Sequence, residues 1–309
     1  MNILKKPIGL FLCGGGAFGS FQSGVLKKLC DAALEFDVLA GFSIGSLNGA
    51  AYCFDKVKEL KDIWSRVDNN NIFKFSPSYH HMPIELYKIY YNGSLLSSLR
   101  YKLENKISRM TLFSNKPVYG ILRNWLGKGE QIFLKKTRFH VISHCIEKKL
   151  PYISTYEGRT LSSNMNFIDA LVASSSIPLI FPPVKIKEKD EIIHLVDGGT
   201  IGIATINLNI FDGCKTVIII SNSSEEDLNY SKKGFLGYFE TKVRRMLAIH
   251  VRKIYESRVF IKSGPDVHFI YPEKLLEGGI IDFKAENCLK NFEYGEKLGD
   301  KFLKSYKKI

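Results

Sequence analysis

IGLFLCGGGAFGSFQSGVLKKL, residues 8–29, decides the fold class. Its first six residues form the continuous apolar run of a strand buried on both faces. Three glycines then break the run, and Phe21, Val25, Leu26 and Leu29 recur at helical spacing. The order is strand, glycine loop, helix. It returns in FDVLAGFSIGSLNGAAYCF, residues 36–54: a buried strand over 36–41, a turn at Ser43, and a helix whose small residues allow close packing. Two strand-to-helix units in succession predict a parallel sheet.

Further strands are predicted at 138–146 (RFHVISHCI), 150–156 (LPYISTY), 192–196 (IIHLV), 215–221 (KTVIIIS) and 266–271 (DVHFIY), with helical patterns between several of them. Strands alternating with helices over this length predict an α/β fold, a three-layer α/β/α architecture with a central, mostly parallel sheet and right-handed crossovers, in a single domain over 1–309. Residues 71–130 read differently. They are rich in Tyr, Asn, Ser and Lys, with helices expected near 83–91, 94–106 and 116–127 and no convincing strand, which makes a helical insertion and a candidate lid. From Phe235 to Ser263, Lys242, Arg244, Arg245, Arg252, Lys253, Arg258 and Lys262 lie among Val243, Met246, Leu247, Ile249, Ile254 and Val259. This is an amphipathic basic helix, read first as a helix covering the sheet and second as a membrane-docking face.

Hydrophobic residues make up 45% and charged residues 24% of the 309, a balance that excludes long disordered or fibrous segments. Lys and Arg number 44 against 31 Asp and Glu, a formal charge of +13 that favours phosphate-rich surfaces. A Lys-, Ile- and Asn-rich composition gives that charge a second source, a compositional bias with no electrostatic purpose. The six cysteines, at 13, 30, 53, 145, 214 and 288, show no metal or disulfide spacing and fit free thiols in a reducing cytosol. The N-terminal apolar run is too short for a secretory leader and reads as the first strand, and no stretch approaches the roughly 18 apolar residues of a membrane span. The expected location is cytoplasmic, with any membrane contact peripheral.

GFSIG at 41–45 is a G-x-S-x-G nucleophile elbow in the setting that gives this pattern meaning, after a strand and opening a helix. Gly41 and Gly45 leave room for neighbouring backbone, and the helix N-terminus beneath Ser43 favours developing negative charge. GGGAFG at 14–19, with Gly14, Gly15, Gly16 and Gly19, fits a dinucleotide loop, a phosphate cradle or an oxyanion hole, since each turns N–H groups toward an anion. It lacks a Walker lysine and the usual G-x-G-x-x-G spacing, whereas three consecutive glycines supply the donors of an oxyanion hole. Of the seven histidines, His140, His144, His194 and His268 fall within predicted strands, where a structural imidazole is the commoner outcome. VDGG at 196–199 ends a strand and sets Asp197 before Gly198 and Gly199, where a carboxylate bonded directly to a serine hydroxyl can act as general base; taken alone, D-G-G is also an ordinary turn.

The ordered set GGGAFG (14–19), GFSIG (41–45) and DGG (197–199), with ASSSIPLIFPPV (173–184) ahead of the aspartate, resembles the patatin-like phospholipase family in its bacterial form, and the likeness spans about residues 8–300, including the tail around Ile281, Asp282 and Phe283. The resemblance implies a Ser43–Asp197 dyad with Gly14, Gly15 and Gly16 as oxyanion hole. It also implies no metal or organic cofactor, and phospholipid or other acyl-lipid substrates cleaved through an acyl-enzyme. The implied partners are the lipid and an anionic membrane touched peripherally, with no specific nucleic acid. Two departures bear on head-group preference: Phe18 stands where many relatives carry a basic residue, and Ala204-Thr205 where many have Asn-Pro. Two other readings stay open. One is a serine esterase or thioesterase for soluble substrates, with His194 or His268 completing a triad. The other is a non-catalytic basic scaffold that binds membranes.

Overall fold

The computed structural model describes residues 4–75, 111, 113–127, 135–158, 160–161, 165–178, 180–199, 208–258 and 264–306. Its strands are β1 (Ile8–Leu12), β2 (Val38–Phe42), β3 (Lys74–Phe75), β4 (Phe113–Ser114), β5 (Arg138–Cys145), β6 (Leu150–Glu157), β7 (Thr160–Leu161), β8 (Val184–Glu188), β9 (Glu191–Asp197), β10 (Thr216–Ile220) and β11 (Asp266–Ile270). The helices are α1 (Gly19–Asp31), α2 (Ile44–Cys53), α3 (Leu60–Arg66), α4 (Asn69–Ile72), α5 (Lys116–Leu126), α6 (Phe167–Ser174), α7 (Phe235–Arg258) and α8 (Ala285–Lys304).

Nine strands form one mixed sheet in the order β11-β10-β1-β2-β5-β6-β7, with β9 pairing both β5 and β8. From β11 to β5 every ladder is parallel, and beyond β5 every ladder is antiparallel. β5 outruns β2. Its residues 138–142 pair with Val38–Phe42, and on the same flank Ser143, His144 and Cys145 pair with Asp197, Val196 and Leu195 of β9, which runs the opposite way. The C-terminal ends of β2 and β9 therefore meet head to head along one edge of β5, and Ser43 follows directly on one of them while Asp197 closes the other.

Side-chain alternation along the strands sorts the layers. On one face, Gly49 of α2 lies against Leu39 and Phe139, and Phe167 of α6 packs edge-on to Phe139 and Tyr156. α1 joins this layer through the backbone contact of Gly24 with Phe292 and of Gly295 with Phe21, which lets α8 press against it at a distance that a Cβ on either glycine would forbid. On the other face, Phe211 covers Gly9 and Phe11, and Ala248 and Val251 of α7 approach Phe269 of β11. The three-layer α/β/α architecture expected from the sequence is the one observed.

Four details differ from or add to that reading. The insertion does hold strand: β3 and β4 pair antiparallel through Lys74↔Ser114 and Phe75↔Phe113, two residues each, too short to show a period. Its third helix is present as α5, while those expected at 83–91 and 94–106 lie outside the described residues. β8, VKIKE, is an additional strand, its exposed lysines alternating with inward Val184 and Ile186. The basic helix is α7, a single element of 24 residues.

Candidate active site

Ser43 sits at the turn between β2 and α2 with φ 54° and ψ −134°, in the left-handed half of conformational space that a serine seldom occupies and that a packed scaffold must enforce. Two glycines make the turn possible. A Cβ on Gly41 would fall 2.9 Å from the Gly45 carbonyl carbon, and one on Gly45 would fall 2.2 Å from the Leu12 carbonyl oxygen. The Ser43 N–H donates to both the carbonyl and the Oγ of Ser174, each at 3.0 Å, and the Ser174 hydroxyl donates onward to the Ile142 carbonyl at 2.6 Å. The elbow is thus tied to the end of α6 and, through it, to β5.

The glycine loop lies alongside. A Cβ on Gly14 would touch Phe42 at 2.6 Å and the Ser43 Cβ at 3.0 Å. Gly15 (φ 154°) and Gly16 (φ 55°) take backbone conformations that L side chains rarely adopt, and at Gly16 a Cβ would fall 2.1 Å from the Ile280 carbonyl oxygen. The loop's carbonyls are held from behind. The Asn222 amide donates to Cys13 and Gly14 at 3.1 Å each, and the Gln22 amide donates to Cys13 at 3.0 Å and Ile220 at 3.1 Å. Ala17 N–H donates to the Ile280 carbonyl at 2.8 Å, whereas the N–H groups of Gly14, Gly15 and Gly16 have no acceptor among the described residues.

Asp197 ends β9 inside the sheet, 2% exposed, with the Ser43 hydroxyl close enough to favour its charged form. Burial pushes its carboxyl from 3.8 up to about 7, a rise that the hydrogen bonds from Ser43 and from the Gly199 N–H only partly oppose. The Gly199 bond is 2.8 Å long, and the Asp197 N–H donates to the Ser176 carbonyl at 2.9 Å. Gly198 and Gly199 permit this approach, since a Cβ at either would strike Ile142 or Phe42. Ser43, Asp197 and the three loop glycines, scattered over the chain, converge on one locus.

That locus opens on an apolar pocket of about 960 Å³ counting its mouth. Gly16 and Ser43 stand at its polar end, and its walls include Trp64, Phe73, Trp125, Phe181, Ile280 and Phe283. Among the described residues, no lysine, arginine, aspartate or glutamate lines it. Residues 10–210, well over half of the chain, match the family described as Patatin-like phospholipase. The chain belongs to that family. Among curated relatives, Triacylglycerol lipase 5 of Saccharomyces cerevisiae is 24% identical over 210 residues, covering 66% of this chain and 26% of that protein. Lysophospholipase nte1 of Aspergillus terreus is 48% identical over 54 residues, 18% of this chain and 4% of that one. The chain thus matches only a minor part of the length of these relatives. Among solved structures, VipD from Legionella pneumophila superposes with a TM-score of 0.48 at 13% identity, covering 98% of this chain and 67% of that one.

Within this patatin-like chain His194 and His268, the two histidines considered for a triad, are engaged elsewhere. The His194 ring shares a 2.6 Å hydrogen bond with Glu147, and it stands three positions before Asp197, so the two side chains leave opposite faces of β9. His268 sits on β11, the far margin of the sheet, between Tyr306 and Asp266. The Cys13 thiol beside the glycine loop is held protonated, pushed up to about 12 by burial. Among the described residues no group of three or more His, Cys, Asp or Glu could hold a metal ion, and no helix is long and apolar enough to cross a membrane.

Sequence reasoning missed the supporting residues. Ser174, Gln22 and Asn222 are polar side chains buried among apolar neighbours, a pattern that marks a structural hydrogen bond but does not name its partner. Arg244 is the clearest case. It was grouped with the basic residues of α7, yet it is 2% exposed, pairs with Asp227 at 2.9 Å and Glu240 at 3.0 Å, and donates to the Gly278 carbonyl at 2.8 Å. Its guanidinium lies 4.4 Å from the Phe18 ring centroid and 4.1 Å from that of Tyr230. A cation from α7 is thus stacked on Phe18 of the glycine loop. The other departure, Ala204-Thr205, lies outside the described residues.

Proposed function

We propose that the protein is a serine acyl hydrolase that releases fatty acids from phospholipids or related lipid acyl esters, with Ser43 as nucleophile and Asp197 as the only proton carrier. The observation that carries this reading is the placement of the Ser43 hydroxyl, at the polar end of an apolar pocket, beside a buried carboxyl that burial pushes up to about 7. A base poised near the working pH is ionised often enough to accept a proton and is acidic enough to return it.

In the proposed cycle the acyl chain lies along the apolar walls and its carbonyl carbon meets the Ser43 Oγ. Asp197 takes the hydroxyl proton as the new C–O bond forms. The N–H groups of Gly14, Gly15 and Gly16 receive the resulting oxyanion, helped by the N-terminus of α2. Asp197 then protonates the leaving alcohol, and the acyl-enzyme at Ser43 is hydrolysed by water that Asp197 deprotonates in turn. The apolar walls that the described residues supply suit an acyl chain, and a lipid surface is where such a substrate would be met. The lipase and lysophospholipase names of the curated relatives agree with this substrate class.

The test is fatty-acid release from phospholipid vesicles by the purified protein beside Ser43→Ala and Asp197→Asn, with a fluorophosphonate probe in parallel. Release by wild type, labelling at Ser43 and background in both variants is the expected result. Labelling at Ser43 with turnover of a water-soluble ester but no fatty acid from any lipid overturns the lipid half of the reading. Folded protein inert toward both probe and lipid overturns all of it.

A further inference from the structure

α7 presents two different faces. Glu240, Val243, Arg244, Leu247 and Ala248 turn inward and are buried. At about 100° per residue, Lys242, Arg245, Met246, Ile249, Arg252 and Lys253 fall within one arc of about 120° on the opposite side. Ile249, 44% exposed, lies at the centre of that arc; Arg252 and Lys253 flank it in the open, and Lys242, Arg245 and Met246 are half-buried. From Thr241 to Lys253 the helix itself carries no Asp or Glu; Arg245 Nε donates to the Tyr230 carbonyl and Lys242 Nζ lies over the Tyr238 ring, contacts that hold both cations on this side of the helix. The combination of a central exposed aliphatic with flanking cations matches a surface that offers negative charge above an apolar interior.

We propose that this face of α7 docks on an anionic lipid bilayer, with Ile249 entering the acyl boundary and Lys242, Arg245, Arg252 and Lys253 meeting the head-group phosphates. The proposal rests on the lipid-hydrolase reading and adds to it the surface by which the enzyme reaches its substrate. The inward side of the same helix explains why docking there serves the site. Arg244 binds the Gly278 carbonyl and stacks on Phe18, and two residues beyond Gly278 the Ile280 carbonyl caps the glycine loop while its side chain lines the pocket. Only this short segment separates the docking helix from the acyl pocket.

The experiment measures binding apart from hydrolysis, so that failure of one reading leaves the other legible. Full-length Ser43→Ala protein is sedimented with phosphatidylcholine vesicles with and without phosphatidylglycerol, at low and high salt, beside the same protein carrying Lys242→Gln, Arg252→Gln and Lys253→Gln. Each cation near an anionic surface contributes about fivefold in affinity, so the triple substitution is expected to weaken binding to the anionic vesicles on the order of a hundredfold. Ile249→Ser alone is expected to weaken it about tenfold. Thermal midpoints check that the variants fold. Equal binding by parent and triple variant, equal affinity for neutral and anionic vesicles, or affinity for double-stranded DNA in place of vesicles overturns the proposal, whether or not the wild type proves to release fatty acid.

Discussion

The two halves of the sheet carry the two residues of the proposed dyad and are built on different terms. The parallel half, β1 and β2 with α1 and α2, delivers Ser43 and the glycine loop within 54 consecutive residues, through the local geometry of strand-to-helix turns. The antiparallel half delivers Asp197 from more than 150 residues further along, through a register that sets it opposite Ser143. Turn chemistry alone can place the proposed nucleophile; placing the proposed base takes the whole ladder. Substitutions in the first half should act by local strain, and those in the second through the ladder and the buried charge.

Ser43→Ala should set the upper limit, lowering fatty-acid release on the order of 10³-fold or more with little change in stability, as vesicle assays and thermal melts will show. Asp197→Asn should match it in activity and differ in stability. Because the carboxyl titrates near 7 in the fold and near 4 when unfolded, its buried charge opposes folding once it ionises. The cost is absent below pH 4, grows as pH rises, and is full above about 7, at roughly 4 kcal/mol. The asparagine variant should therefore melt higher than wild type at pH 8 and lose that advantage near pH 4. Wild-type turnover should rise with pH through about 7, since only the ionised base works. If the melts run the other way, the antiparallel half does not bury its charge as described.

Gly16→Ala should come next, because a methyl group 2.1 Å from the Ile280 carbonyl must push the loop away from Ser43. A fall in kcat of about 10²-fold, with a smaller change in KM, is the measurement that separates loop displacement from pocket damage. Ser174→Ala tests the seam between the halves: it removes the hydroxyl bridge from Ser43 to Ile142 and should cost about 1–3 kcal/mol of stability by urea unfolding. His194→Ala and His268→Ala should have the smallest effect, leaving kcat within about twofold, since both imidazoles point away from the site. A large loss in either would break the dyad reading and restore the triad.

The histidines and the insertion show where sequence reasoning stops. Strand membership of His194 and His268 was legible, but their remoteness from Ser43 depended on the face of β9 and on the place of β11 in the sheet. Arg244 read as one of several cations on an amphipathic helix, because periodicity tells two sides apart but not which charged side chain finds a buried partner. Two-residue β3 and β4 carry too few residues for any period, and β8 was legible only in hindsight through its alternating lysines.

By itself the sequence determined the two strand–turn–helix units, the elbow at Ser43, the glycine loop and the α/β class. Each rests on neighbours in the chain, where apolar periodicity and the steric freedom of glycine act over a few residues. Only the tertiary structure decided that β2 and β9 meet end to end beside β5, that Asp197 is buried deeply enough to titrate near 7, and that an apolar pocket opens at Ser43. Those features depend on strand register and on desolvation by distant side chains, and neither is a property of any local stretch of sequence.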